Sequence, residues 1–319
     1  MSSKLLFVCG FPSSGTDLLK NILNAHPEVR LTGEIPFLPS LAGKYGPWVP
    51  AELIDELVGD LRRLDVYRNL GDTTQMLPPS RESYAVADIF SGMISGGQVK
   101  WKGSKTPQFT EEIDKLYHLF PDAKAIVIIR DIRDVALSWK RKWGKDELLC
   151  AWKWDKRMRG GYDWLHEHAR NSFMLVTYES LLQDFEKTVS DICAFLDIEW
   201  DERMLEYEKY VGERVEGKLN YGMHVLKKNH GKWRKEMGKA RVKRIEEIAW
   251  RSLNVFGYPI AEAVEYRAIT RLEKYRGVVR DIMALLFVGN RAIKTNRVRN
   301  RVNEILFEFK KLKKVGYRN

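Results

Sequence analysis

Cysteine is scarce in this sequence. Cys9, Cys150 and Cys193 are scattered and odd in number, which argues against a disulfide framework and matches no metal-binding spacing. No apolar run reaches the ~20 residues of a membrane span. The opening residues, MSSKLLFVCG, lack the basic, apolar and small-residue series of a secretory leader. Internal repeats and low-complexity segments are also missing. These absences predict a reducing, cytoplasmic setting. What remains is an ordinary globular composition, 44% hydrophobic and 30% charged over 319 residues. That length holds one large α/β domain or two smaller ones.

Acidic residues are short in one region. Residues 261–319 carry 15 Lys or Arg against 6 Asp or Glu, a balance of +9 out of a net +11 for the chain. Such a tail faces an anionic membrane surface, a polyanionic substrate, nucleic acid or plain solvent. It has no nucleic-acid motif, so nucleic acid is the least expected partner. Its RVNEILFEFKKLKKV stretch sets Val302, Ile305, Leu306, Phe309 and Leu312 on one face with lysines opposite. That face suits docking on the domain, pairing with another subunit or lying on a membrane.

The rest reads as strands alternating with helices. Lys4 to Cys9, Gln98 to Lys102, Ala125 to Ile129 and Phe173 to Thr177 have strand character. Helical spacing follows from Thr16 to the His26-Pro27 stop, around Val135 to Trp139, and from Tyr178 to Leu196 as one amphipathic helix. This order predicts an α/β fold with a parallel sheet flanked by helices on both faces. Ligands then bind beyond the C-terminal strand ends. The domain is expected over 1–260, with a basic helical extension over 261–319.

The first strand enters GFPSSGTD, nearly a phosphate-binding loop. Gly10 and Gly15 have the separation of that motif, but Thr16 and Asp17 follow where Lys and Ser or Thr belong. Pro12-Ser13-Ser14-Gly15-Thr16 lies at a helix start, where the successive backbone N–H groups after Pro12 form an anion nest, and the Ser14 and Thr16 hydroxyls add donors. The missing lysine, with no clear Walker-B aspartate, argues against a nucleoside triphosphate and for a shorter 5′ anionic group. A tight glycine turn is the plainer alternative. Arg130 ends a strand and Ser138 follows on the next helix; both suit a second phosphate. A 5′ group in one loop and a separate phosphate at another strand describe 3′-phosphoadenosine 5′-phosphosulfate (PAPS).

With these motifs in hand, the chain resembles the PAPS-dependent sulfotransferase family, its bacterial and tyrosylprotein-type members in particular. GFPSSGTDLLKNILNAHPEV is similar to the 5′-phosphosulfate loop, and LFPDAKAIVIIRDIRDVALSW to the 3′-phosphate segment. GSKTPQF, FMLVTYESLLQDFEKTVSDICAFLDIEW and HGKWRKEM…SLNVFGYPI fall in the family's order, over roughly residues 4 to 260. The resemblance implies a P-loop-like fold, PAPS as co-substrate, no required metal, and sulfuryl transfer to a hydroxyl or amine. It assigns Ser14, Gly15, Thr16 and Asp17 to the 5′ loop and Arg130 and Ser138 to the 3′-phosphate. Tyr178 falls near the adenine. Lys228, Gly231 and Trp233 fall in the segment that closes over the nucleotide.

The resemblance also exposes departures. Many small-molecule members carry a His after the Lys-Thr pair; here Pro107 follows Lys105-Thr106. Other members carry a Glu past the "HP", and Glu34 takes that place as the expected base, with His26 read as part of the helix stop. Lys105 matches the lysine at the transferred group. Ser13 stands where the family has Arg or Lys, and Asp17 where it has Thr or Ser. Asp17 is expected to cap its helix or pair with a cation such as Lys20. The acceptor is expected to be a carbohydrate or glycolipid. Its pocket is expected between Ala42 and Gly97 and around Trp143, Trp152, Trp154, Tyr162 and Trp164, residues that serve equally as core. Two other readings compete with an active transferase: a nucleotide-binding scaffold that has lost catalysis, and a P-loop kinase using ATP.

Overall fold

The computed structural model describes residues 3–35, 44–46, 48–57, 83–86, 90, 98–210 and 229–288. The chain packs as two compact units: residues 1–130 with 156–231, and residues 131–155 with 232–319. Among the described residues no helix is long and apolar enough to cross a membrane.

The first unit is built on a parallel sheet of β1 (Lys4–Gly10), β2 (Val29–Thr32), β5 (Trp101–Lys105), β6 (Lys124–Ile129) and β7 (Phe173–Thr177), in the order β2-β5-β1-β6-β7. A separate antiparallel pair joins β3 (Trp48–Pro50) and β4 (Ser83–Ala85). The central strand β1 is buried on both sides. Leu6 and Val8 join the cluster of Leu18, Ile22 and Ile192 from α1 (Thr16–Asn24) and α6 (Phe185–Leu196). Phe7, pointing the other way, meets Phe90, Phe109 and Phe120 at centroid distances of 5.7, 5.7 and 5.5 Å. Strand alternation puts successive side chains on opposite faces, so both faces are covered, as expected for a parallel sheet. Each buried side chain of this size contributes roughly 1.5–3 kcal/mol. Gly103, paired with Leu6, accepts no side chain: a Cβ there would lie 1.5 Å from the Leu6 carbonyl oxygen.

Several elements differ from the expectations. β5 begins at Trp101 rather than Gln98, and β2 is an additional edge strand. The single helix expected after β7 is two, α5 (Tyr178–Gln183) and α6, broken at Asp184, whose φ of −123° and ψ of 53° leave the helical region. The aromatic-rich stretch lies mostly on one long helix, α4 (Glu147–His168), which follows α2 (Ile113–Leu119) and α3 (Ile132–Trp143).

The second unit is knotted by a fully buried ion pair. Arg133 and Glu246 are both 0% exposed, and the guanidinium donates to Glu246, to both carboxylate oxygens of Asp131 at 2.8 Å, and to the Pro259 carbonyl at 2.9 Å. Glu246, on α7 (Lys239–Val255), also accepts from the backbone N–H groups of Ala261, Glu262 and Ala263 at 3.1, 2.8 and 2.9 Å. Charges taken out of water need this density of partners. The last described helix, α8 (Arg271–Val288), is tied in by Asp281, which accepts from the Asp146 N–H at 2.8 Å.

Candidate active site

All five parallel strands end, on one edge, beside a residue singled out in the sequence. β1 runs into the loop 11–15, β2 ends two residues before Glu34, and β5 ends on Lys105. β6 ends just before Arg130 and β7 just before Tyr178. In parallel register the strand ends lie side by side: Val8 pairs with Lys105, Gly10 with Ile128 and Ile129 with Thr177. The topology therefore gathers distant side chains at the edge where ligands bind in such sheets.

The loop is held open by backbone geometry. Gly15 has φ 97°, and a Cβ on it would lie 2.4 Å from the Tyr178 ring, so glycine is required there. Ser13 has φ 73°, in the left-handed region that costs a non-glycine residue roughly 1–2 kcal/mol. The Ser14 N–H donates to the Phe11 carbonyl at 3.0 Å, closing the turn. The Ser13 Oγ, the Ser14 Oγ and the Arg130 Nε are buried and have no hydrogen-bond partner among the described residues. Each such orphan costs about 1–3 kcal/mol. Polar orphans around the N-terminus of α1 form a cradle suited to an anion.

Arg130 braces this loop. Its guanidinium donates to the Ser13 carbonyl at 3.2 Å and the Asn229 carbonyl at 2.9 Å, and lies 4.3 Å from the Tyr178 ring centre. Asn229 Nδ2 donates to the Tyr178 hydroxyl at 2.7 Å. Asn229 had no assigned role in the sequence, although it lies in the same run as Lys228 and Gly231. Lys228 lies outside the described residues. Gly231 has φ 67° with open space where a Cβ would sit.

Lys105 is buried between two carboxylates. Its Nζ lies 2.7 Å from Asp17 Oδ1 and 2.8 Å from Glu34 Oε1; the lysine side chain is 6% exposed, Asp17 56% and Glu34 43%. Burial pulls the lysine's pKa down, but the two carboxylates outweigh it and the net shift is upward. Glu34 is fixed through its neighbour: the Ile35 N–H donates to Thr106 Oγ1 at 3.0 Å, and the Thr106 N–H donates to the Val8 carbonyl at 2.9 Å. Asp17, expected to cap α1 or to meet Lys20, has Lys105 as its cation, and α1 has no side-chain cap bond. His26 is a turn residue: it is buried, its Nε2 lies 2.9 Å from the Glu199 carbonyl, and its Nδ1 accepts from the Glu28 N–H at 3.1 Å.

The remaining candidates belong to the second unit or to cores. Ser138 sits half-buried on α3. Trp233 is buried, with its backbone N–H on Asp134 and its indole N–H on Asp131, both at 3.1 Å, and its ring 3.9 Å from the Arg133 guanidinium. The aromatic cluster is spread among protein partners. Trp143 meets Trp139, Trp154 meets Phe256, Tyr162 meets Phe173, Trp164 meets Tyr117, and Trp152 lies under Lys274. Most of residues 42–97 lie outside the described residues.

Residues 6–202 match the model of the sulfotransferase family. A putative protein-tyrosine sulfotransferase of Caenorhabditis briggsae is 29% identical over 67% of this chain and 72% of its own length. Protein-tyrosine sulfotransferase 2 of Gallus gallus is 29% identical over 66% of this chain, and the match spans only 55% of that relative. Among solved structures, the sulfotransferase domain of the Synechococcus PCC 7002 olefin synthase superposes with a TM-score of 0.57 at 22% identity, over 82% of this chain and 98% of that domain. The sulfotransferase domain of the curacin biosynthetic pathway gives 0.55 at 16% identity, over 82% and 99%. These two likenesses concern the fold.

Proposed function

The chain belongs to the sulfotransferase family, and on that premise we propose that it transfers the sulfuryl group of PAPS to a hydroxyl, with the phenol of a protein tyrosine as the first acceptor to test. The observation that carries this reading is the juxtaposition at the sheet edge: an anion cradle with orphaned Ser13, Ser14 and Arg130 donors, and a Lys105–Glu34 contact of 2.8 Å in the same unit. The carbohydrate or glycolipid acceptor expected from the sequence has no support in the named relatives above, whose names give protein tyrosine.

The residues divide the work. The loop N–H groups and the serine hydroxyls bind the 5′-phosphosulfate. Arg130 supplies a fixed positive charge at the neighbouring strand end for the 3′-phosphate. Glu34 takes the acceptor's proton as its oxygen bonds to sulfur. Lys105 stabilises negative charge as the bond from sulfur to the phosphate oxygen breaks and the 5′-phosphate leaves. With Ser13 in place of a basic residue, Lys105 is the cation this reading relies on. Electron pairs move in one direction, from acceptor oxygen to sulfur to departing phosphate, so no redox partner is required.

The test is transfer of radiolabelled sulfate from PAPS to tyrosine peptides, simple phenols and sugars in parallel. Label on the phenols supports the proposal, and label on sugars alone overturns the acceptor assignment. Tight PAPS binding with no transfer to any acceptor establishes the scaffold reading. Magnesium-dependent ATP binding that PAPS does not displace establishes the kinase reading.

A further inference from the structure

The outer face of α8 carries an apolar stripe with no role in the site. Leu272, Tyr275, Val279 and Met283 are 56, 62, 39 and 45% exposed. Their spacing of three and four residues places them along one side of the helix, and eighteen residues span about 27 Å.

The charges on this helix are sorted. Its two acids point away from the stripe and are occupied. Glu273 receives a two-pronged contact from Arg244, at 2.7 and 2.8 Å, and Asp281 is buried against the Asp146 N–H. Between these two inward positions, a Cβ on Gly277 would lie 2.9 Å from Leu149, so the inner face is closely packed. Arg271, Arg276 and Arg280 are exposed, with Arg280 reaching Asp146 at 3.0 Å. The stripe is thus flanked by cations, and the segment that follows, 289–319, adds ten Lys or Arg against two Glu.

We propose that this face of α8 docks on an anionic lipid surface, with the apolar stripe entering the headgroup boundary and the flanking arginines meeting lipid phosphates and carboxylates. An amphipathic helix with apolar residues on one side and Arg or Lys beside them has this chemistry. A second copy of the chain fits less well, because a symmetric pairing of the stripe sets arginines against arginines with both acids of the helix turned inward.

The test uses the full chain and co-sedimentation with vesicles of phosphatidylcholine alone or with about one-third phosphatidylserine. The wild type is expected to bind the anionic vesicles, less at high salt. The combined Leu272→Gln, Tyr275→Gln and Val279→Gln variant is expected to lose at least ~tenfold in partitioning, and Arg276→Glu several-fold. All these residues are exposed, so unchanged thermal unfolding and unchanged nucleotide binding verify the fold. Equal partitioning of the triple variant and the wild type overturns the proposal and assigns binding to 289–319. No vesicle binding, or a dimer that the triple variant abolishes, overturns it as well. None of these readouts depends on sulfuryl transfer, so the proposal stands or falls separately from the assigned activity.

Discussion

Asp17 Oδ1 and Lys105 Nζ lie 2.7 Å apart, so an acidic residue in the first turn of α1, just after the anion-binding loop, holds the main cation of the proposed site. The dianionic 5′-phosphosulfate of PAPS would share that lysine with the carboxylate. Asp17→Asn is therefore expected to tighten PAPS binding roughly threefold to tenfold, a modest gain because Asp17 is half-exposed. The same change removes one of the two carboxylates that raise the lysine's pKa. A raised lysine keeps its proton above its ordinary ~10.4 and loses it only at higher pH. In the variant, the alkaline limb of the pH–rate profile should move down. Weaker nucleotide binding would mean that Asp17 positions Lys105 instead of competing for it.

Lys105→Ala and Glu34→Gln separate the two halves of the proposed chemistry. Loss of the lysine should lower kcat about 10²–10³-fold, the scale of one lost charge-stabilising donor. Loss of the base should lower it about 10²–10⁴-fold with nucleotide affinity nearly unchanged. Single-turnover rates and equilibrium binding, measured on both variants, provide the check. Full turnover in Glu34→Gln would move the base elsewhere.

Arg130→Ala should cost about 1.5–3 kcal/mol of PAPS affinity if the side chain meets the 3′-phosphate. Arg130 also braces Ser13 and Asn229, so affinity alone is ambiguous. The discriminating measurement compares PAPS with adenosine 5′-phosphosulfate, which lacks the 3′-phosphate. The wild type should prefer PAPS, and the variant should bind the two alike.

Ser13→Gly relieves a left-handed residue and deletes a buried hydroxyl that has no partner among the described residues. Thermal stability should rise by about 0.5–1 kcal/mol, the strain relieved less the extra freedom of glycine in the unfolded chain. PAPS affinity should fall at the same time. Calorimetry with and without nucleotide reads both, and parallel changes would show that the serine is not part of the cradle.

Glu273 links the second unit to acid. Its hydrogen bonds from Arg244, against the opposing pull of burial, lower its pKa to about 2. A depressed carboxylate stabilises the fold above its ordinary ~4.3 and loses that contribution as the pH falls toward 2. Glu273→Gln should therefore cost roughly 1 kcal/mol at neutral pH, the full linkage value being reduced because solvent screens an ion pair this near the surface, and less near pH 2. Unfolding midpoints of wild type and variant at both pH values test this, and a constant difference would contradict it.

Much of the sheet was legible because β1, β6 and β7 are continuous apolar runs between turn signals, the form of a doubly covered parallel strand. β2 escaped because VRLT alternates buried and exposed positions over only four residues. The break between α5 and α6 was hidden because the apolar spacing continues through Asp184. At the site, the strand-end position pointed to Arg130, and the family resemblance pointed to Lys105 and Glu34. Sequence gave no sign of the Lys105–Asp17 contact. That contact depends on the Val8–Lys105 register, which brings the start of α1 to the end of β5. Asn229 was passed over for a related reason: its partners are a carbonyl-seeking guanidinium and a tyrosine hydroxyl on distant elements.

The Glu246 knot bears on where this polypeptide can be cut or joined. A chain ending at residue 260 would keep both buried charges and discard the three backbone donors of residues 261–263 that the carboxylate needs. Breaking the set of partners around a buried charge typically costs several kcal/mol. The segment just beyond residue 260 therefore acts as a clasp on the second unit. A reporter, a tag or a protease site belongs downstream of Ala263, where its insertion leaves that clasp closed.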